Sequence, residues 1–207
     1  WNVTRISLET NMNDIVERWN ITADLSISRV LTGLWQIADM ERDGRELDPV
    51  ATARTMEPYV QAGFTTFDMA DHYGSAEVIA GLFAREHGHD CVQLFTKWVP
   101  RPGPADRDDV RKAVQTALER LRSDRLDLLQ FHAWNYADPS YLDTLTYLQE
   151  LKAEGLIGQL GLTNVDTAHL RMILHSGIDV VSNQVCFSLL DQRARANGML
   201  ELCAEHG

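Results

Sequence analysis

Six short apolar runs, each followed by an amphipathic stretch, recur along this chain with a beat of about thirty residues, and that alternation admits few folds. The runs span residues 28–35, 65–70, 92–98, 126–132, 157–164 and 179–188, and helices are predicted over 48–61, 76–87, 107–121, 140–153, 166–175 and 193–205. Strands apolar on both faces belong to a parallel sheet covered by helices, so the choice lies between a doubly wound sheet and a (β/α)8 barrel. Local chemistry supports the helix ends. Ser140, after Pro139, is placed to cap a helix N-terminus, and Gly63, Gly155 and Gly177 stand where a left-handed C-cap residue is wanted. No G-x-G-x-x-G follows the first strand and no phosphate loop occurs, which tilts the choice toward the α/β barrel.

A whole barrel takes eight units and roughly 250 residues, whereas these 207 residues supply about six. We therefore expect a TIM barrel truncated to about six βα units, cut from a longer protein, with 1–27 as an N-terminal extension and 28–207 as the partial barrel domain. The first residue, Trp1, fits that expectation.

Composition excludes several functions. A net charge of -11 with no cluster of Lys and Arg argues against nucleic-acid binding, and an anionic cofactor would need a local positive site. Cys91, Cys186 and Cys203 are odd in number and form no C-x-x-C, as reduced thiols in a cytoplasmic setting would. No apolar run has the length of a membrane span, and no charged segment with an apolar stretch behind it opens the chain. The sequons at Asn2 and Asn20 matter only in a secreted protein. His87-Gly88-His89-Asp90 lacks a third convergent ligand, so no metal is expected there.

In a parallel barrel the working groups lie at the C-terminal ends of strands and in the loops that follow. Asp68 lies near the end of the second run, Tyr73 in the loop after it, Lys97 near the end of the third run, and His132 closes the fourth. An acid, a phenol, an amine and an imidazole are thereby expected at one rim, a proton-donating set.

The residues that carry these groups also carry a resemblance. Gly63 to Glu77, with Asp68-Met69-Ala70-Asp71-His72-Tyr73-Gly74 at its centre, is similar to the Asp-Thr-Ala-x-x-Tyr-Gly signature of the aldo-keto reductases. Phe95-Thr96-Lys97-Trp98, Leu126 to His132, Gly161-Leu162-Thr163-Asn164 and Asn183-Gln184 continue the match in order, and it extends from Gly33-Leu34-Trp35 to Leu189-Leu190-Asp191. The resemblance implies an NADP-dependent barrel oxidoreductase that reduces a small aldehyde or ketone. Tyr73 would be the general acid, Lys97 the cation that lowers its pKa, Asp68 the partner of Lys97, and His132 the group that orients the carbonyl. Thr163, Asn164 and Gln184 fall where the family holds the nicotinamide carboxamide. Trp35, Trp98 and Trp134 fall at the rim after three strands, where they could wall an apolar substrate pocket.

Three departures stand out. Met69 replaces a small Thr or Ser and should point away from the mouth if Asp68 points in; Thr163 replaces a Ser, and Val165 an aromatic. The resemblance leaves two other roles open: a cofactor-binding regulatory subunit resembling potassium-channel beta subunits, and an inactive partial domain. Oligomeric state and substrate identity are not legible in these residues.

Overall fold

The computed structural model describes residues 16–37 and 47–206. Six parallel strands, β3 (Thr32–Gly33), β4 (Thr66–Asp68), β5 (Gln93–Trp98), β6 (Leu126–Phe131), β7 (Ile157–Thr163) and β8 (Ser182–Gln184), pair strictly in chain order. That order decides between the two architectures. A doubly wound sheet reverses direction at a switch point, whereas a barrel adds each strand beside the last. The sheet is accordingly a curled, half-closed (β/α)8 barrel with its helices on the outer face.

Side chains alternate between two cores, as the two-residue period of a strand requires. Phe67, Met69, Leu94, Leu129, Phe131, Leu160 and Leu162 face the helices and join a large core with α3 (Ala76–His87), α4 (Arg107–Leu121), α5 (Tyr141–Ala153) and α6 (Thr167–His175). Phe95 and Leu128 face the concave side and pack with Leu25 and Ile27. Met69 does turn away from the mouth, as its neighbour Asp68 demanded.

Leu25 and Ile27 come from a feature that the apolar beat does not reveal. Residues 18–28 form an antiparallel hairpin, β1 (Arg18–Thr22) and β2 (Leu25–Ser28), laid across the strand starts. Arg18 donates to Thr65 Oγ1 at 2.9 Å, the Ser28 amide to Thr66 Oγ1 at 2.9 Å, and Gln159 Nε2 to Asp24 Oδ1 at 3.0 Å. The run at 28–35 is thus no single strand: Ser28 closes the hairpin and only Thr32 and Gly33 pair with β4. The boundary expected at residue 28 falls inside this hairpin.

Other elements are shorter than expected. The helix at 48–61 is α1 (Pro49–Ala53), a 3-10 turn at 54–56 and α2 (Glu57–Gln61), because Pro58 has no N–H to return to the Arg54 carbonyl. Asn197-Gly198, with Gly198 at φ 78°, splits the last helix into α7 (Arg193–Ala196) and α8 (Met199–His206). The run at 179–188 is a strand only over Ser182–Gln184, since β7 offers no partner beyond Thr163. Ser140 does not cap α5 with its hydroxyl; the Asp138 carboxylate instead accepts the Ser140 amide at 3.0 Å. Gly63, Gly155 and Gly177 do take positive φ, at 91°, 88° and 75°.

Candidate active site

Because Phe95 and Leu128 face the concave side, Lys97 and Gln130, two residues further on, face it too, closer to the strand ends. The concave surface therefore grades from an apolar floor under the hairpin to a polar rim. Lys97 is 3% exposed; its Nζ donates to Asp68 Oδ2 at 2.5 Å and to the Met69 carbonyl at 3.2 Å. Asp68 Oδ1 accepts Gln130 Nε2 at 2.8 Å. Burial lowers the lysine pKa and the Asp68 carboxylate opposes that fall. With acceptors on both sides of it, the ammonium is the form this geometry suits.

Tyr73 sits in the loop after β4, its amide bonded to the Ala70 carbonyl at 3.0 Å. Its ring centroid lies 4.8 Å from that of Trp35, 4.9 Å from that of His72 and 5.6 Å from Lys97 Nζ. The phenol pKa is raised, by burial and then by the Asp68 charge, not lowered as the sequence reading expected. Burial is the larger cause, because a half-buried phenolate loses hydration, and the nearby Asp68 carboxylate adds to it. Tyr73 consequently carries its proton at neutral pH.

His132 follows β6, and its amide donates to the Trp98 carbonyl at 3.0 Å. Among the described residues its Nδ1 is buried with no hydrogen-bond partner. Burial lowers its pKa, and Lys97 and His72 lower it further, so the ring is neutral at pH 7. Trp134 stands 5.0 Å from His132 and 6.4 Å from His72, and is 70% exposed. Trp35, Tyr73, His72, Trp134 and His132 make a belt of rings across the rim.

Trp98 is not in that belt. Adjacent to Lys97 on β5, it turns to the other face and packs near Phe131, 6.3 Å between centroids, in the helix-side core. Its expected place in the pocket wall is corrected accordingly. At the ends of β7 and β8, Asn164 takes φ 57° and is exposed, and its amide donates to the Gln184 carbonyl at 2.8 Å. Gln184 is exposed, while Thr163 is 4% exposed with its hydroxyl unpartnered among the described residues.

Two contributors escaped the sequence reading. Gln130 was visible in principle, as a polar residue inside an apolar run two positions before His132. His72, whose Nδ1 is 2.9 Å from Asp71 Oδ1, carries no such signal, since loop geometry alone sets it beside Tyr73.

A profile of the aldo/keto reductase family matches residues 29–207. The chain belongs to this family. Among its relatives, the NADH-specific methylglyoxal reductase of Escherichia coli K12 is 31% identical over 209 residues, covering 90% of this chain and 63% of that protein. The aflatoxin B1 aldehyde reductase member 2 of Rattus norvegicus is 36% identical over 126 residues, 58% of this chain and 34% of that one. This aldo/keto reductase chain thus spans less than two thirds of the length of either relative. In fold it matches a thermostable aldo-keto reductase in complex with epalrestat, with a TM-score of 0.81, 23% identity and coverage of 92% of this chain and 70% of that one. It also matches a Klebsiella pneumoniae aldo/keto reductase in complex with NADP and acetate, with a TM-score of 0.71, 22% identity and coverage of 87% and 62%.

The family uses nicotinamide nucleotides, and the rim of this aldo/keto reductase suits the nicotinamide end. A buried, unpartnered Thr163 hydroxyl and the exposed amides of Asn164 and Gln184 together offer the donors and acceptors that a carboxamide pairs with. Among the described residues no helix is long and apolar enough to cross a membrane, and no cluster of three or more His, Cys, Asp or Glu is arranged to hold a metal.

Proposed function

We propose that this chain carries the catalytic half of an NADPH-dependent reductase of aldehydes or ketones, acting on a small carbonyl substrate in the cytoplasm. The observation that carries the reading is the convergence of Asp68, Lys97, Tyr73 and His132 from three successive strand ends. The names of two relatives, a methylglyoxal reductase and an aldehyde reductase, support an aldehyde. Residues 28–207 are proposed as the partial reductase domain, with the 18–28 hairpin packed on its concave floor.

In this mechanism Tyr73 donates its O–H proton to the carbonyl oxygen as that oxygen gains charge, which a phenol held protonated is ready to do. His132, held neutral by burial, donates a hydrogen bond to the same oxygen and aims the carbonyl. Lys97, fixed by an Asp68 carboxylate that Gln130 holds in turn, stabilises the phenolate left behind until water reprotonates it. Thr163, Asn164 and Gln184 orient the carboxamide; a reduced nicotinamide, when bound there, supplies the hydride to the carbonyl carbon. Trp35 and Trp134 flank the substrate and exclude water.

The test is titration of NADPH and NADH by fluorescence, followed by aldehyde-dependent cofactor oxidation in the parent protein and in Tyr73→Phe. We expect tighter binding of NADPH and a turnover loss of about 10² to 10⁴ in the variant with unchanged binding. Undiminished turnover in Tyr73→Phe refutes the acid assignment, and cofactor binding without turnover in the parent favours a regulatory role. The Escherichia coli relative is named for NADH and the Klebsiella structure holds NADP, so the paired titration also decides the nucleotide.

A further inference from the structure

Behind the rim, on the helix side of the sheet, lies a buried carboxylate that the mechanism does not use. Glu77, 2% exposed in the first turn of α3, accepts the Thr96 hydroxyl on Oε1 at 2.6 Å and Arg120 Nη1 on Oε2 at 3.0 Å. The same Arg120 nitrogen donates to the Asp71 carbonyl at 3.0 Å. Asp71 precedes Tyr73 by two residues, and Thr96 immediately precedes Lys97. The loop and the strand meet again where the Asp71 amide donates to the Lys97 carbonyl at 2.9 Å and the Asp71 carboxylate accepts the Val99 amide at 3.2 Å.

We propose that Arg120, through Glu77 and Thr96, is a positioning residue that holds the loop bearing Tyr73 in register with the strand bearing Lys97. The proposal rests on the reading of Tyr73 as the acid.

Three features argue that the network sets geometry rather than serving as filler. The pair is buried only at its Glu77 end, the Arg120 side chain being 38% exposed, so it is a modest source of net stability, yet its bonds are directional. Burial pushes the Glu77 carboxyl above its ordinary value against the opposing pull of Thr96 and Arg120, so its place here is set by those two directed bonds. A cavity of about 160 Å³, bordered by Glu77, Thr96, Trp98 and Arg120, adjoins the network, so polar bonds more than close packing hold the loop on this side. The arginine itself is anchored by backbone contact. At Gly81 of α3 an added Cβ would stand 2.4 Å from the Arg120 carbonyl oxygen, which keeps α4 pressed against α3 at that point. A displacement of about 1 Å at a reacting group costs roughly 10²-fold in rate, so a clamp at this distance from the chemistry suffices to matter.

The experiment uses the full chain carrying ¹³Cζ-labelled tyrosine, with the Tyr73 resonance assigned by its loss in Tyr73→Phe. Arg120→Met keeps the stem and removes the fork; Thr96→Val removes the hydroxyl and Thr96→Ser restores it. We expect the Tyr73 resonance and its titration to move toward those of free tyrosine in Arg120→Met and Thr96→Val, and to return in Thr96→Ser. In turnover with NADPH and an aldehyde, kcat should fall about ten- to a hundredfold while KM stays within about twofold. A Tyr73 resonance and titration identical to the parent in both Arg120→Met and Thr96→Val overturns the proposal, whatever their melting temperatures. Full turnover in Tyr73→Phe would sink the acid assignment and leave the resonance measurement of the clamp standing, so the two failures are told apart.

Discussion

Asp68→Asn is the most searching perturbation of the rim, because it removes one charge and almost no volume. In the parent, each carboxylate oxygen accepts one bond, Oδ2 from Lys97 and Oδ1 from Gln130. The amide accepts on one side only, and Lys97, 3% exposed, loses its counter-charge. Breaking a buried pair by neutralising one partner costs about 3–5 kcal/mol, which for a domain of this size lowers Tm by about 6–20 °C. The sign of the pH dependence follows from the lysine. Burial already holds its folded pKa below the unfolded value of about 10.4, and without Asp68 it falls further. In the window between the folded and unfolded values the unfolded chain binds more protons, so stability rises with pH. Urea melts of parent and variant at about pH 7 and pH 10 check this: the gap should be large at the lower pH and narrow at the higher. A gap under about 1 kcal/mol at neutral pH, or one that does not narrow in alkali, refutes the buried-pair reasoning.

Three further outcomes are expected. Gln130→Leu leaves Asp68 Oδ1 without its donor and should cost about 1–3 kcal/mol in urea melts, with turnover reduced in the folded enzyme. The folded pKa of His132 is depressed, so its share of stability is present above about pH 6.5 and is lost as pH falls through the folded value; His132→Gln should flatten the decline in melting temperature between about pH 7 and 5. Ile27→Ala opens the floor between the hairpin and Phe95 and Leu128 and should cost about 2–5 kcal/mol, with little change in cofactor affinity if floor and rim are independent.

How much of this was legible before any coordinates depends on the kind of residue. The strands β5, β6 and β7 were readable to within a residue, since runs flanked by helices on one face and barrel interior on the other are apolar throughout. The rim groups Asp68, Lys97 and His132 were readable because they lie at or near the ends of such runs. The hairpin was not, although Leu25 and Ile27 alternate with serines, because four residues of alternation do not say which surface they will cover. Trp98 departs from expectation for a related reason: nearness to a strand end does not set which face a side chain takes, and alternation puts it opposite Lys97.

By itself, the order of apolar and amphipathic segments determined a parallel helix-covered sheet and set an acid, a phenol, an amine and an imidazole near one end of it. Only the tertiary structure decided that the strands add in sequence, that Lys97 pairs with Asp68, and that burial pushes the Tyr73 phenol further up. The division has a physical cause. Periodicity and strand ends are properties of neighbours along the chain, whereas protonation depends on burial and on charges brought together across 29 residues of sequence.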